Sequence, residues 1–224
     1  MTANKRGANT REKVITEAAK QFYLQGYKDT TMRALAAAVG IKHPSLFSIF
    51  ENKSAIASVL LTRYFDGLDR SAKQFIEEKG LTDDPKTRLL TFQALNYNLV
   101  YIDRRFAEFF SSFYDENSEG VDALVMNLGH LSQSEEEETD PYHELDKKVL
   151  GLSAMLLVRE LGERTIDPRI ATRYFVEMIV QVNGKALNLT SEEAAAFYQT
   201  YFDDIAAKAN TIDIYKDYLL SDSL

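Results

Sequence analysis

Residues 30–53, TTMRALAAAVGIKHPSLFSIFENK, decide the fold. Met32, Leu35, Ala36 and Val39 fall at i, i+3, i+4 and i+7, so this part of the chain is a helix with one apolar stripe. Thr31 stands where its hydroxyl oxygen can cap the first free amides. Gly40 then stands where the chain must leave the helix with positive φ, and Ile41 returns an apolar side chain to the core. Pro44 is compatible with a second helix only in its first turn, where its missing N–H would have had no acceptor. Leu46, Ile49 and Phe50 anchor that short helix inward, which leaves His43, Ser45, Phe47 and Ser48 facing outward and Lys42 at its start. Upstream, Val14, Ile15, Ala18, Ala19 and Phe22 line one face of a helix ending near Gly26-Tyr27. Together these segments predict a three-helix unit that presents one short helix to the major groove of DNA.

Charge is distributed to match. Residues 1–63 hold ten Lys and Arg against four Asp and Glu, net +6, while the rest of the chain holds 16 against 30, net −14. A chain of net charge −8 is a poor nucleic-acid binder taken whole, but its basic part coincides with the helix-turn-helix, and the acidic remainder keeps other surfaces off DNA.

These residues resemble the TetR (tetracycline repressor) family of bacterial transcription regulators. The similarity runs in order from Thr10 through Ala18-Ala19, Phe22, Gly26-Tyr27, Thr30-Thr31, Leu35-Ala36, Gly40-Ile41, Leu46-Phe47 and Phe50 to Lys53. It implies an all-α homodimer with an N-terminal three-helix helix-turn-helix DNA-binding domain and a C-terminal helical effector-binding and dimerisation domain. On that pattern residues 1–52 form the DNA-binding domain, 53–82 a connecting helix and 83–224 the C-terminal domain. His43, Pro44, Ser45, Phe47 and Ser48 are the candidates for the groove, with Thr31, Arg33, Lys42 and Lys53 as candidate phosphate ligands. The resemblance implies phosphate contact for Lys53 in particular, a mobile cation beside the free amides of a helix N-terminus. The sequence departs from the family pattern where Phe47 replaces a tyrosine and loses a hydroxyl that could bond a phosphate, where Lys42 replaces a serine-like cap and cannot accept from an amide, and where Ile49 takes a position often polar and removes another possible backbone contact.

The other elements announce themselves through caps. Asp84-Pro85, Asp140-Pro141 and Asp167-Pro168 pair an N-cap acid with proline at the first helical position, and Thr190 with Glu193 makes a capping box. Helices are predicted over 10–25, 32–39, 43–49, 53–79, 85–101, 103–114, 119–129, 141–163, 168–187, 191–209 and 211–220. The low-complexity run LSQSEEEETD, 131–140, reads as a solvated loop, with a cation or a basic partner as the other use of its four glutamates.

From Asp83 onward there are 17 aromatic residues, and an effector site is expected among them. Phe92, Gln93 and Asn96 share a helical face with Leu89 and Val100, so two amides need partners that a ligand, water or another side chain could supply. Tyr97, Phe110, Phe113 and Met155 are further candidates for a cavity wall, though aromatic residues at the spacing of Phe106, Phe109, Phe110, Phe113 and Tyr114 also suit plain core. Arg159, which interrupts an apolar run, either snorkels to water or pairs with an acid or an anionic ligand. For the last long helices, the family pattern implies a four-helix interface with a second copy through Phe175, Ile179, Val182, Phe197, Tyr201 and Ile205, with intrachain packing as the other use of those faces.

The function expected is that of a homodimeric repressor, released from a palindromic double-stranded operator by an unidentified small-molecule effector, with the long helix from Lys53 carrying the signal. The alternative is a DNA-binding structural or partner-controlled protein of the same fold without an effector. Three histidines, His43, His130 and His143, with no HExxH, no Glu-x-x-His and no GxSxG, nominate no catalytic residue and no metal site. No cofactor is expected. No cysteine is available for disulfides or zinc, and no signal peptide or run of about 18 apolar residues is found, so a cytoplasmic, nucleoid-associated protein with no membrane partner is expected.

Overall fold

The computed structural model describes residues 2–117 and 141–220, the side chains of 2–6, 141–148, 151 and 182–187 excepted. The helices, in chain order, are α1 (Thr2–Leu24), α2 (Met32–Val39), α3 (His43–Phe47), α4 (Lys53–Glu78), α5 (Pro85–Ile102), α6 (Arg104–Glu116), α7 (Pro141–Gly162), α8 (Pro168–Leu187) and α9 (Ser191–Ala209), followed by a π-helical turn, Ile214–Leu219. The fold is all-α, with no strand among the described residues. None of its described helices is long and apolar enough to cross a membrane. The segment 119–129 and the glutamate run lie outside the described residues.

The caps expected at Thr31, Asp84, Asp167 and Thr190 form, while Asp140 lies outside the described residues. Thr31 Oγ1 accepts from the Ala34 amide at 3.1 Å, and Asn52 Oδ1, a cap not singled out above, accepts from Ala55 at 2.8 Å. Asp84 and Thr190 do the same for α5 and α9, the latter in a full capping box. Gly40 ends α2 at φ +76°, and the Ile41 amide turns back to the Ala36 carbonyl at 3.0 Å. Val14, Ile15, Ala18 and Phe22 of α1 then meet Leu35, Leu46, Phe50 and Leu60 in one buried cluster. Each fully buried large aliphatic or aromatic side chain there contributes roughly 1.5–3 kcal/mol.

Four elements differ from expectation. α1 begins at Thr2 rather than residue 10, because its first turns lie exposed at Gly7, Ala8 and Asn9 and so carry no apolar stripe. α3 stops at Phe47 rather than residue 49, since the Ile49 and Phe50 amides both close on the Leu46 carbonyl at 2.9 Å, a tightened last turn. α5 is not amphipathic: every residue from Leu89 to Val100 is buried, as befits a helix surrounded by α4, α6, α7, α8 and α9. The final element is a π-helical turn rather than a helix over 211–220.

That turn packs against α4 and α1. Tyr218 lies over Gly67 of α4, and the Tyr218 and Ser71 hydroxyls stand 2.7 Å apart. Burial, the largest influence, pushes the Tyr218 phenol up to about 12. Arg63, buried, donates from Nη2 to both Glu12 oxygens at 2.7 and 2.8 Å and from Nη1 to the Leu219 carbonyl at 3.2 Å, joining α1, α4 and the tail. A Cβ at Gly67 would come 2.6 Å from Tyr218 Cγ, so Gly67→Ala should displace the ring and cost about 1–3 kcal/mol in chemical denaturation. An unchanged midpoint would mean that the ring gives way freely.

Candidate nucleic-acid interface

α3 presents a short aromatic edge. Leu46 is fully buried and fixes the helix, while Phe47 on the opposite side is 47% exposed. His43 stands edge-on to Phe47 at 4.9 Å between ring centroids, so one turn of helix offers a large apolar face beside an imidazole. Pro44, Ser45 and Ser48 are exposed on the same element, and Ser48 Oγ donates to the Ser45 carbonyl at 2.7 Å, which leaves its lone pairs outward. The five groove candidates are thus brought together.

The phosphate candidates divide. Arg33 and Lys42 are exposed and make no ion pair among the described residues. The Thr31 oxygen is committed to its cap, but the hydroxyl proton remains available as a donor. Lys53 corrects the expectation of a free cation. Its ammonium donates to the Tyr27 carbonyl at 2.9 Å, pairs with Glu116 at 3.3 Å and lies 4.0 Å from the Tyr27 ring centroid. Tyr27 belongs to the helix-turn-helix unit itself, whereas Glu116 is contributed by the end of α6.

The interior candidates also separate. Phe92 and Phe110 both pack on Phe65 of α4, and Asn96 Oδ1 accepts from the buried Tyr64 hydroxyl at 2.7 Å, so that amide already has a protein partner. Gln93 and Tyr97, one turn apart, lie on another side of α5, where the Tyr97 ring meets Phe175 at 5.7 Å. The Tyr97 hydroxyl is buried with no hydrogen-bond partner, and the buried Gln93 side chain makes none among the described residues. Burial, then the nearby Tyr198 and Tyr114, push the Tyr97 phenol well above its usual range, keeping it a neutral donor. Phe113 is not part of this wall, since its ring packs on Tyr27 at 5.8 Å, against the helix-turn-helix. Met155 is half-buried. Arg159 is corrected as a ligand candidate: it lies at the surface and donates from Nη2 to Asp115 at 2.6 Å.

Of the five expected interface residues whose side chains are described, three belong to the core of the single chain. Phe175, Ile179 and Ile205 are buried within one chain, and Phe197 and Tyr201 are half-buried with rings 5.1 Å apart; Val182 lies outside the described side chains. The apolar surface lies instead on Val149, Leu152 and Leu156 of α7 and Ile170 and Tyr174 of α8, with Leu152 64% and Tyr174 58% exposed. Spacings of i, i+3, i+7 and i, i+4 were the signal available in the sequence. It was obscured because both helices also carry a second, inward apolar face.

A capped helix, a glycine turn and a short exposed second helix on a basic three-helix core define a helix-turn-helix DNA-binding protein. Residues 14–60 match the family model for bacterial regulatory proteins of the tetR family. The chain is 21% identical over 159 residues to the HTH-type transcriptional regulator YdgC of Bacillus subtilis, a match covering 70% of this chain and 82% of that protein. It is 34% identical over 73 residues to the HTH-type transcriptional repressor ComR of Escherichia coli, covering 32% of this chain and 35% of that one. A crystal structure of the TetR family regulator PfmR from Thermus thermophilus aligns over 86% of this chain and 93% of that chain at 24% identity, with a TM-score of 0.30. Residues 14–60 thus carry a helix-turn-helix DNA-binding domain of the tetR type, and the relatives matched are helix-turn-helix transcriptional regulators.

Proposed function

We propose that this regulator is a homodimeric repressor that leaves a palindromic operator when a small molecule enters its C-terminal body. Residues 1–52 read DNA, 53–82 connect, and 83–224 bind the effector and the second copy. The observation that carries the reading is the exposed Phe47 with half-buried His43 edge-on to it on α3, an apolar and imidazole surface suited to thymine methyls and purine acceptors. Repression is supported by the similarity to the transcriptional repressor ComR over 73 residues. Dimerisation is supported by the exposed apolar strip of α7 and α8, which a two-fold partner would bury against its own copy.

An effector is supported by the buried Tyr97 hydroxyl, which has no partner among the described residues, with the buried Gln93 amide one turn away on the same helix. The only buried charge described is Arg63, already paired with Glu12, so an uncharged ligand with a hydrogen-bond acceptor suits the interior best. Tyr97→Phe tests this: removing a hydroxyl without a partner should leave the melting temperature unchanged or higher. A drop corresponding to about 1–3 kcal/mol, the cost of breaking a buried hydrogen bond, would instead assign the hydroxyl to the core. Operator binding by purified protein, followed by its release with extracts of candidate metabolites, tests the reading as a whole.

A further inference from the structure

The end of α6 closes on the helix-turn-helix through charge. Asp115 receives Lys28 on Oδ2 at 3.2 Å and Arg159 of α7 on Oδ1 at 2.6 Å. Glu116 receives Lys53, and Asn117 donates to the Tyr27 hydroxyl at 3.3 Å. The Lys53 ammonium donates to the Tyr27 carbonyl, forms an ion pair with Glu116 and lies against the Tyr27 ring.

From this geometry we infer that Asp115 and Glu116 form an anionic latch that competes with DNA phosphates for Lys28 and Lys53, so that the position of α6 sets the number of cations available to DNA. The inference deepens the proposed function by naming how its DNA site is regulated. A carboxylate and a phosphate oxygen offer an ammonium the same chemistry, and the exchange requires only that Glu116 withdraw. The pairs lie at the protein surface, Lys53 20% and Glu116 39% exposed at the side chain, so opening the latch is a small step rather than the breaking of a buried salt bridge.

The latch is also wired to the body. Arg159 holds the other oxygen of Asp115, and α7 crosses α6 so closely at Gly162 that a Cβ there would stand 2.7 Å from the Ala107 Cβ. α7 and α6 therefore move together, and α7 carries Leu152 and Leu156 of the exposed apolar strip. A shift of α7, from the interior or from the dimer face, reaches Lys28 and Lys53 through two carboxylates.

The test is fluorescence anisotropy of the full-length protein on a 30-bp duplex of random sequence, titrated at several KCl concentrations. Binding to such a duplex is dominated by phosphate contacts and needs no knowledge of the operator. Glu116→Gln should raise affinity roughly threefold to tenfold and steepen the dependence of log K on log salt by up to about one unit. The gain should vanish when Lys53→Gln is already present. Asp115→Asn provides a second, independent release, acting through Lys28. A gain that survives in the Lys53→Gln background would be a general effect of removing a negative charge and would overturn the latch, as would no gain in either single variant. Failure of the unaltered protein to bind any duplex would instead remove the proposed function on which the latch rests.

Discussion

Phe47→Ala is expected to weaken binding to the operator by roughly tenfold or more while leaving the melting temperature unchanged or slightly raised. The side chain is 47% exposed and stands opposite Leu46, which alone on α3 is fully buried, so its loss leaves no cavity in the core. What is lost is an apolar surface against base edges, a class of contact worth about 1–3 kcal/mol of discrimination for a good pairing. His43 loses its edge-on neighbour as well, so its ring is held less firmly. Since phenylalanine carries no charge, affinity for a random duplex should change little. Equal losses on operator and random DNA, measured side by side at one salt concentration, would mean that Phe47 supports the helix rather than reads bases.

The second large effect is expected at a surface remote in sequence from the helix-turn-helix. Leu152→Glu combined with Leu156→Glu should convert a dimer to a monomer by sedimentation at micromolar concentration, and should lower operator affinity by about 100-fold or more as two half-sites cease to be bound by one molecule. Both side chains are exposed in the single chain, so helicity by circular dichroism should be unchanged. Facing acids across a two-fold axis repel their own copies, which is why two substitutions become four charges. A variant that remains dimeric would move the interface elsewhere, and half-buried Phe197 and Tyr201 would be the next residues to alter.

The helix-turn-helix was legible because its determinants are local. Thr31, Gly40, Pro44 and the spacing of Met32 to Val39 each act within a few residues, and each does in the structure what its chemistry requires. Lys53 was not legible in the same way. Its place at the start of α4 is local, but the acid that captures it lies 63 residues further on, at the end of another helix. The same limit applies to α8, where Ile170 and Tyr174 face outward while Phe175 and Ile179 face inward; periodicity finds both stripes and cannot say which one the protomer covers. In α5, two amides within one apolar stripe proved to have different fates, Asn96 being satisfied by Tyr64 and Gln93 left without a described partner. Arg159 found an acid, one of the outcomes open to it from sequence, and that acid is shared with Lys28 of the DNA-binding unit.

A dimer that reads two half-sites must place its α3 helices on successive major-groove faces, which recur about every 34–36 Å. The most direct measurement is selection of bound fragments from a random DNA library by the purified full-length protein at a fixed physiological salt concentration. An inverted repeat with half-site centres about one helical turn apart, lost with Phe47→Ala, is the result expected of a dimeric reader. Enrichment of a single unsymmetrical half-site, or of no sequence at all, would contradict it.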